Sequence, residues 1–257
     1  VHVKDAQQVL DYAAEVPELA KELMERFWPG PLTIILPVKP GVFPANVNND
    51  QETVAFRMPN QHSALRLIDL VGAPLVGPSA NLSGKPSPTS VDHVMQDFDG
   101  VIAGVVAGDT DQAQIGVEST VVRPMSDRLI ILRPGAITQS MLKQVCPKVQ
   151  EFSVAEQLAA PQIQSPGVKY RHYSPKQAVF LFESSEDLAN LHAKLVAKGG
   201  RVGLLADESI IQALGQQSPV VATYSLGQPN DADSATRQLY AGLRALEASD
   251  CDWILAQ

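Results

Sequence analysis

The sequence predicts an α/β protein in which a first domain with a mixed sheet and helices precedes a smaller Rossmann-like parallel α/β domain. Before residue 150, strands and helices mix without strict alternation, whereas after residue 175 they alternate regularly. At 257 residues the chain is long enough to build two cores. We place the domains at 1–155 and 177–257 and treat 156–176, which has no periodicity, as a linker.

The elements of the first domain follow from apolar spacing, β-branched runs and breaker residues. Pro17 divides a helical apolar pattern over 5–27 into two helices. Further helices are predicted over 62–71, 90–98 and 138–145. Strands are predicted over 32–36, 53–57, 73–76, 101–106, 119–122 and 129–133, with the last two forming a hairpin.

The second domain shows the strand–helix alternation of a parallel sheet. Strands are predicted over 178–182, 202–205, 220–224 and 253–256. Helices are predicted over 185–197, 207–214 and 231–248. The turn after the strand at 202–205 lacks a G-x-G-x-x-G pattern, so this domain is not predicted to bind a dinucleotide.

Composition and charge narrow the class of protein. A net charge of −8 and an aromatic content of 5% disfavour an extended nucleic-acid surface, which needs a basic face and stacking side chains. No apolar run reaches the ~20 residues of a membrane helix and no signal peptide is visible, so we expect a cytoplasmic protein without membrane contact. Cys146 and Cys251 are predicted to be reduced, buried thiols.

Both ends of the sequence resemble interior segments of a chain. The sequence begins with Val1 rather than Met, and it ends on a predicted strand with only one residue after it. We therefore expect the natural polypeptide to extend beyond both ends.

The segment 77–90 is the most informative stretch of the sequence. It places hydroxyls, an amide and glycines after an apolar run, and its hydroxyls and backbone N–H groups can surround phosphate oxygens. The pattern Gly77-x-Ser79-x-Asn81 approaches the G-x-S-x-G nucleophile elbow, but Asn81 replaces the last glycine. We therefore favour an anion-binding loop over a plain surface loop and over a serine hydrolase.

Two arginines and a lid-like segment add further candidates. Arg57 ends a predicted strand, where it is either a solvated side chain or a planar fork for a carboxylate or phosphate. The predicted hairpin brings Ser119 near Arg133, either as an ordinary charged hairpin end or as a second wall of a nucleotide site. The segment 165–175 carries two tyrosines, a histidine and cations, which suits a lid over an anionic ligand as well as a stiff spacer.

Six motifs follow one another along nearly the whole chain. They are Trp28-Pro29-Gly30-Pro31-Leu32-Thr33, Phe56-Arg57-Met58-Pro59, Gly77-Pro78-Ser79-Ala80-Asn81-Leu82-Ser83-Gly84, Glu118-Ser119-Thr120-Val121, Leu132-Arg133-Pro134-Gly135 and Ser165-Pro166-Gly167-x-Lys169-Tyr170-x-His172-Tyr173. In this order they resemble the YrdC family and, more narrowly, its long two-domain threonylcarbamoyl-AMP synthases. The resemblance implies a YrdC-like twisted mixed sheet in the first domain.

The resemblance implies a nucleotidyltransferase. Enzymes of this family make L-threonylcarbamoyladenylate from L-threonine, bicarbonate or CO2, and ATP, release pyrophosphate, and supply the threonylcarbamoyl modification of tRNA. Because an acidic chain must neutralise a triphosphate locally, we expect Mg²⁺ to accompany ATP, and we expect no tightly held structural metal. tRNA or tRNA-modification proteins are the further expected partners.

The resemblance also assigns residues to the two substrates. ATP contacts are implied for Thr53, Ser79, Asn81, Ser87 and Arg133, with Tyr170 or Tyr173 of the linker closing over the nucleotide. Threonine contacts are implied for Arg57 at the carboxylate, and for Gly77 and Ser119. No general base is assigned. The family's Lys-x-Arg motif and threonine-rich strand have no counterpart before Val1, so we expect them in a longer polypeptide.

Two other classes of protein are kept as alternatives. The cluster of Lys169, Arg171 and Lys176 would suit an RNA-binding module, whose affinity would fall steeply with salt. A non-catalytic sensor of threonine or nucleotide would bind these ligands without turnover.

Overall fold

The computed structural model describes residues 1–48, 51–108, 114–153, 174–215 and 220–257. By its contacts the chain divides into two units, the first built from 1–78 and the described residues after 117 up to 153, the second from 79–117 and the described residues from 174 onward. The predicted linker 156–176 lies outside the described residues except at its last three positions. The predicted domain bounds therefore stay a prediction.

Helices and strands occupy most of the positions that the apolar patterns predict. The strands are β1 (Leu32–Pro37), β2 (Thr53–Phe56), β3 (Thr120–Pro124), β4 (Leu129–Arg133), β5 (Val149–Glu151), β6 (Ala178–Leu181), β7 (Val202–Ala206), β8 (Ala222–Ser225) and β9 (Trp253–Ala256). The helices are α1 (Ala6–Tyr12), α2 (Glu18–Phe27), α3 (Ala45–Asn48), α4 (His62–Val71), α5 (Val91–Phe98), α6 (Gln139–Leu142), α7 (Ser185–Ala197), α8 (Glu208–Gly215) and α9 (Ala232–Glu247). Helix α6 is shorter than the predicted helix over 138–145.

The first unit contains a five-stranded mixed sheet in the order β2-β1-β3-β4-β5. Strand β1 pairs antiparallel with β2 and parallel with β3, whereas β4 is antiparallel to β3 and parallel to β5. On one face, Leu23 of α2 shares a core with Ile34 and Phe56. The predicted break at Pro17 separates α1 from α2, and the predicted mixed sheet with helices is confirmed.

The second unit contains a four-stranded sheet in the order β6-β9-β7-β8, in which every pairing is parallel. On one face, Leu188 of α7 shares a core with Leu204. On the other face, Leu246 of α9 shares a core with Leu205. Adjacent strand residues point to opposite faces, so helices cover both sides of the sheet, and the predicted Rossmann-like arrangement is confirmed.

Two predicted strands are wrong. The run 101–106 forms no strand: Val101 and Val106 are 74% and 77% exposed, and Gly100 turns the chain with a φ of 71° just before it. The run 73–76 contributes only a single bridge, between Leu75 and His2. Both segments have strand-like composition, but strand propensity depends on a packed neighbour, and the described chain gives neither run a ladder of paired residues.

The two cysteines are buried and unpaired, as predicted. Cys146 belongs to the core beneath α1 and α2, and Cys251 to the core beneath α9. In the portions of the chain that the structure describes, no helix combines the length and apolar character needed to cross a membrane.

Candidate functional site

Polar side chains meet at one end of the sheet in the first unit. Strands β1 and β3 are parallel and both begin at this end, while β2 and β4 run the opposite way and finish there. The side chains at these four strand ends are Thr33, Arg57, Ser119 and Arg133. Since neighbouring strands lie about 4.8 Å apart, the topology brings together residues that are distant in sequence.

The turn that begins at Trp28 holds Arg57 in place. Arg57 donates from Nε to the main-chain oxygen of Gly30 at 3.0 Å. Glycine is required at this position because a Cβ would collide with the main-chain oxygen of Phe27. Trp28 closes the turn by donating from Nε1 to the oxygen of Leu32 at 2.7 Å. The turn therefore fixes one edge of the guanidinium, and Nη1 and Nη2 of Arg57 have no hydrogen-bond partner among the described residues.

Arg133 is fixed in a similar way by Ser119. Its Nε and Nη2 donate to the main-chain oxygen of Ser119 at 3.1 and 2.9 Å, and Nη2 also lies 3.2 Å from Ser119 Oγ. Ser119 is 5% exposed, and its Oγ lies 2.7 Å from Thr33 Oγ1. A Cβ on Gly135 would lie 2.6 Å from the main-chain oxygen of Glu118, so the backbone after β4 passes close to the backbone before β3. The structure thus brings Ser119 and Arg133 together as the predicted hairpin requires.

His2 lies beside Arg57 and Gly77, although no sequence pattern points to it. Its main-chain N and O pair with Leu75 at 2.7 and 3.0 Å, and the amide of Val3 donates to the oxygen of Arg57 at 3.0 Å. A Cβ on Gly77 would lie 3.0 Å from His2 Nδ1, so glycine permits the close approach of the ring. Burial lowers the pKa of His2, and the charge of Arg57 lowers it further. The imidazole is therefore neutral near pH 7.

Arg57 and Arg133 make this end of the sheet strongly positive. Burial lowers the pKa of Arg57, and the charge of Arg133 lowers it further. Within the described ranges, no carboxylate lies within 4.0 Å of either guanidinium. Guanidinium groups form charge-assisted, often bidentate hydrogen bonds with carboxylates and phosphates. The arrangement is therefore suited to binding such an anion.

Thr53 lies on the same strand as Arg57, at the opposite end. Side chains alternate along a strand, so Thr53, Ala55 and Arg57 share one face of the sheet, on which Ala55 packs against the Val121 cluster. At about 3.3 Å per residue, Thr53 and Arg57 lie roughly 13 Å apart along β2. The two side chains therefore face the same side of the sheet at separate positions.

From Ser79 onward, the predicted anion-binding loop belongs to the second unit. Ser79 is exposed, Ser87 is buried and Asn81 is partly buried. Asn81 donates from Nδ2 to the main-chain oxygens of Leu82 at 2.9 Å and Lys85 at 3.1 Å, so its amide nitrogen organises the loop. Its Oδ1 is buried and has no hydrogen-bond partner in the part of the chain that the structure describes. This oxygen is therefore the polar atom of the Asn81 side chain that the described residues leave unsatisfied.

The loop lysine and the two linker tyrosines are the other side chains considered for a nucleotide. Lys85, the cation of the loop, already pairs with Asp97, whose Oδ1 lies 2.8 Å from Lys85 Nζ. Tyr170 and Tyr173, predicted to cover a nucleotide, lie outside the described residues. Among described side chains, no group of three or more His, Cys, Asp or Glu is arranged to hold a metal ion.

Comparison with known proteins identifies the family. Residues 1–135 match the Sua5_yciO_yrdC family model, described as Telomere recombination, and residues 137–257 match the model of the threonylcarbamoyl-AMP synthase C-terminal domain. The chain belongs to the threonylcarbamoyl-AMP synthase family. A threonylcarbamoyl-AMP synthase of Bacillus subtilis is 41% identical over 261 residues, which cover 100% of this chain and 72% of that protein.

Archaeal relatives support the same assignment. A threonylcarbamoyl-AMP synthase of Pyrococcus abyssi is 35% identical over 262 residues, covering 100% of this chain and 73% of that protein. The crystal structure of P. abyssi Sua5 complexed with L-threonine aligns with a TM-score of 0.89 at 34% identity, over 99% of this chain and 73% of that one. The α/β fold with a mixed sheet and a second, parallel sheet is thus shared with a solved threonylcarbamoyl-AMP synthase structure.

Three residues near the strand ends received no individual role from the sequence. His2 lies in none of the six motifs. Thr33 stands inside the apolar run of β1, where a β-branched residue is ordinary. Gly30 stands between two prolines. This unusual context was the sign in the sequence that the backbone at Gly30 lies close to the main-chain oxygen of Phe27.

Proposed function

We propose that this chain synthesises L-threonylcarbamoyladenylate from L-threonine, bicarbonate or CO2, and ATP, with release of pyrophosphate. The observation that carries the proposal is the pair Arg57 and Arg133, set at one sheet end without a carboxylate partner in the described chain. Membership of the threonylcarbamoyl-AMP synthase family selects the anions, a threonine carboxylate and the phosphates of ATP. The product would be used for threonylcarbamoyl modification of tRNA.

Threonine binding is proposed for the strand ends around Arg57. Its free Nη1 and Nη2 suit the two oxygens of the threonine carboxylate. Ser119 and Gly77, with the neutral imidazole of His2 and the hydroxyl of Thr33, would line the same pocket. A neutral imidazole leaves the positive charge of the site on the arginines, which favours the carboxylate end of the substrate.

ATP binding is proposed for Thr53, Ser79, Asn81, Ser87 and Arg133, the residues that the family motifs assign to the nucleotide. Tyr170 or Tyr173 is proposed to close over the nucleotide. Because its amide nitrogen is bonded to loop carbonyls, Asn81 would use Oδ1, which suits a ribose hydroxyl or a Mg²⁺ ion better than a phosphate oxygen.

The reaction needs positioning and charge neutralisation more than a protein nucleophile. The threonine amine adds to CO2 to give a carbamate, and a carbamate oxygen then attacks the α-phosphorus of ATP. A new P–O bond forms, the bond from the α-phosphorus to the bridging oxygen breaks, and pyrophosphate leaves. Arg57 would orient the amino acid while Arg133 offsets phosphate charge, which is the kind of contribution that phosphoryl transfer requires. Mg²⁺ bound to the triphosphate would offset the charge of the leaving pyrophosphate.

A pyrophosphate-release assay on the full-length protein tests the proposal. We expect release only when ATP, threonine and bicarbonate are all present, and loss of release when Mg²⁺ is removed with chelator. Pyrophosphate release that does not depend on threonine would refute the proposal. Ligand binding without turnover would support a sensor, and steeply salt-dependent tRNA binding would support an RNA-binding module.

Partners and compartment follow from the same proposal. The adenylate product is a reactive mixed anhydride, so we propose that tRNA or tRNA-modification proteins receive it. We also propose the cytoplasm as the compartment, since ATP, threonine and tRNA occur there together.

A further inference from the structure

Arg244 of α9 is a buried cation that is hydrogen-bonded to the segment 79–117, which carries most of the predicted nucleotide loop. It is 6% exposed, and its Nη2 donates to Asp97 Oδ2 at 2.7 Å. Its Nε donates to the main-chain oxygen of Pro86 at 3.0 Å, and its Nη1 to that of His93 at 3.5 Å. One guanidinium thus contacts the loop directly and also helix α5, which follows the loop.

Asp97 links Arg244 to the loop by hydrogen bonds. Its side chain is fully buried, and besides Arg244 it accepts hydrogen bonds from Lys85 Nζ at 2.8 Å and from the amide of Leu82 at 3.3 Å. Leu82 and Lys85 are the two residues whose carbonyls hold the amide of Asn81. A continuous set of hydrogen bonds therefore runs from Arg244 through Asp97 to the predicted ATP ligand Asn81.

Two more contacts attach the same segment to the C-terminal part of the chain. The amide of Ser174 donates to the oxygen of Gly84 at 3.1 Å. Gly116 has a φ of 84°, and a Cβ there would lie 2.5 Å from the Cα of Arg237 in α9, so the backbones nearly touch. The segment 79–117 lies in the part of the chain that matches the first family model, and α9 lies in the part that matches the second. Both nevertheless belong to one unit of the structure.

The buried charges make this connection sensitive to substitution. Removing Arg244 would take from the buried Asp97 carboxylate one of the two cations that pair with it, and a buried charge that loses a partner is destabilising. Asp97 would then lose its main partner, and Leu82 and Lys85 would be held less firmly. The hydrogen bond from Arg244 Nε to the main-chain oxygen of Pro86 lies one residue before Ser87, so both ends of the loop 81–87 would be affected.

We propose that Arg244 is a positioning residue for ATP: through Asp97 and Pro86 it sets the conformation of the loop 81–87. The inference rests on the proposed function, because that function makes the loop an ATP-binding element. Through Arg244, the C-terminal domain would contribute to nucleotide binding. Threonine binding is assigned to Arg57 in the other unit and should not depend on Arg244.

The test compares Arg244→Met, Arg244→Lys and Asp97→Asn with Arg201→Met in the full-length protein. Arg201 pairs with Asp252 at the surface of the same unit, so Arg201→Met removes an Arg–Asp pair that has no connection to the loop. Calorimetry gives the Kd of a non-hydrolysable ATP analogue and, separately, of threonine. We expect Arg244→Met to raise the Kd for the ATP analogue at least tenfold and that for threonine less than twofold, Arg244→Lys to give a partial loss, and Arg201→Met to change neither.

Hydrogen exchange of the amides of residues 82–85 supplies a second readout. We expect faster exchange there in Arg244→Met and in Asp97→Asn, and wild-type exchange in Arg201→Met. If Arg244→Met does not fold, the nearly isosteric Asp97→Asn decides the question with the same two measurements.

Several results would overturn the inference. Folded Arg244→Met and Asp97→Asn with wild-type affinity for the ATP analogue would do so, as would equal losses of ATP and threonine affinity, which indicate a general structural role. A wild-type protein that binds no ATP analogue would instead refute the proposed function, and the inference with it.

Discussion

Arg133 donates two hydrogen bonds, from Nε and Nη2, to the single main-chain oxygen of Ser119 at 3.1 and 2.9 Å. This fork joins the end of β4 to the start of β3 and sets the direction of the remaining guanidinium nitrogen, Nη1. The ammonium of a lysine has no comparable planar fork. The geometry therefore requires arginine at this position for more than its charge.

We predict that Arg133→Lys raises the KM for ATP about tenfold, since loss of the fork lets the cation move away from the phosphates, and tenfold corresponds to about 1.4 kcal/mol. The KM for threonine should change less. Arg128→Lys is the matched control, because Arg128 lies just before β4 and pairs with Asp127 at the surface. Steady-state kinetics with each substrate varied in turn provides the measurement, and equal KM values for Arg133→Lys and wild type would contradict the assigned role.

Arg57→Ala should weaken threonine binding more than ATP binding. Loss of a charge-assisted pair with the carboxylate corresponds to about 1.5–3 kcal/mol, or roughly 10- to 150-fold in Kd. Arg66→Ala serves as the control, because Arg66 is exposed on α4 and pairs with Asp69. Calorimetric titration with threonine and with an ATP analogue measures both affinities. Losses of similar size for the two ligands would count against a threonine-specific role.

Gly135→Ala should damage the site through the backbone. The added Cβ would lie 2.6 Å from both the oxygen of Glu118 and the amide nitrogen of Thr120, so β3 and the turn after β4 must separate. We expect loss of about 1–3 kcal/mol of unfolding free energy, as for other overpacked positions, together with reduced turnover. Gly104→Ala is the control, because its Cβ would meet nothing within 4 Å. Urea unfolding of both variants provides the comparison, and wild-type stability of Gly135→Ala would show that the crossing is less tight than described.

The stability of the protein should fall in acid partly through Asp97. Burial by itself would raise the pKa of this carboxyl, but hydrogen bonds from Arg244, Lys85 and the amide of Leu82 hold it at about 2. An acid whose pKa is lower in the folded state stabilises the fold at pH above its unfolded value near 4, and this contribution is lost as the pH falls toward 2. Unfolding free energies of wild type and Asp97→Asn should therefore differ most at pH 5–7 and converge between pH 4 and 2. A constant difference across that range would be the contrary result.

The sequence patterns predict best those elements whose ends or burial are clearly marked. The helix over 62–71 has the predicted bounds, with the Gln61 side chain capping its start and Gly72 ending it in the left-handed region. The strand over 253–256 also has the predicted bounds, and Ile254, Leu255 and Ala256 are all buried in the parallel sheet. The run 101–106 has the same local composition as a strand but lies exposed, since strand formation depends on pairing that composition does not reveal. Local pattern therefore succeeds where caps or a continuous apolar run mark an element, and it fails where strand formation depends on a pairing partner.

The candidate site was predictable where a motif carries its own chemistry. Arg57 and Arg133 stand at strand ends, and a hairpin brings Ser119 to Arg133 as the order of strands requires. The connection between Asp97 and Arg244 was not predictable, because the two residues lie 147 positions apart and are joined only by tertiary packing. Close approaches such as that of His2 to Gly77 depend likewise on backbone geometry.

The most direct test of the central claim follows the carbon of bicarbonate. The full-length protein is incubated with ATP, threonine and ¹³C-bicarbonate, and the adenylate product is analysed by mass spectrometry. We predict a threonine-containing adenylate whose carbamoyl carbon carries the label, formed together with an equal amount of pyrophosphate. An adenylate without the label, or pyrophosphate formed in the absence of threonine, would contradict it.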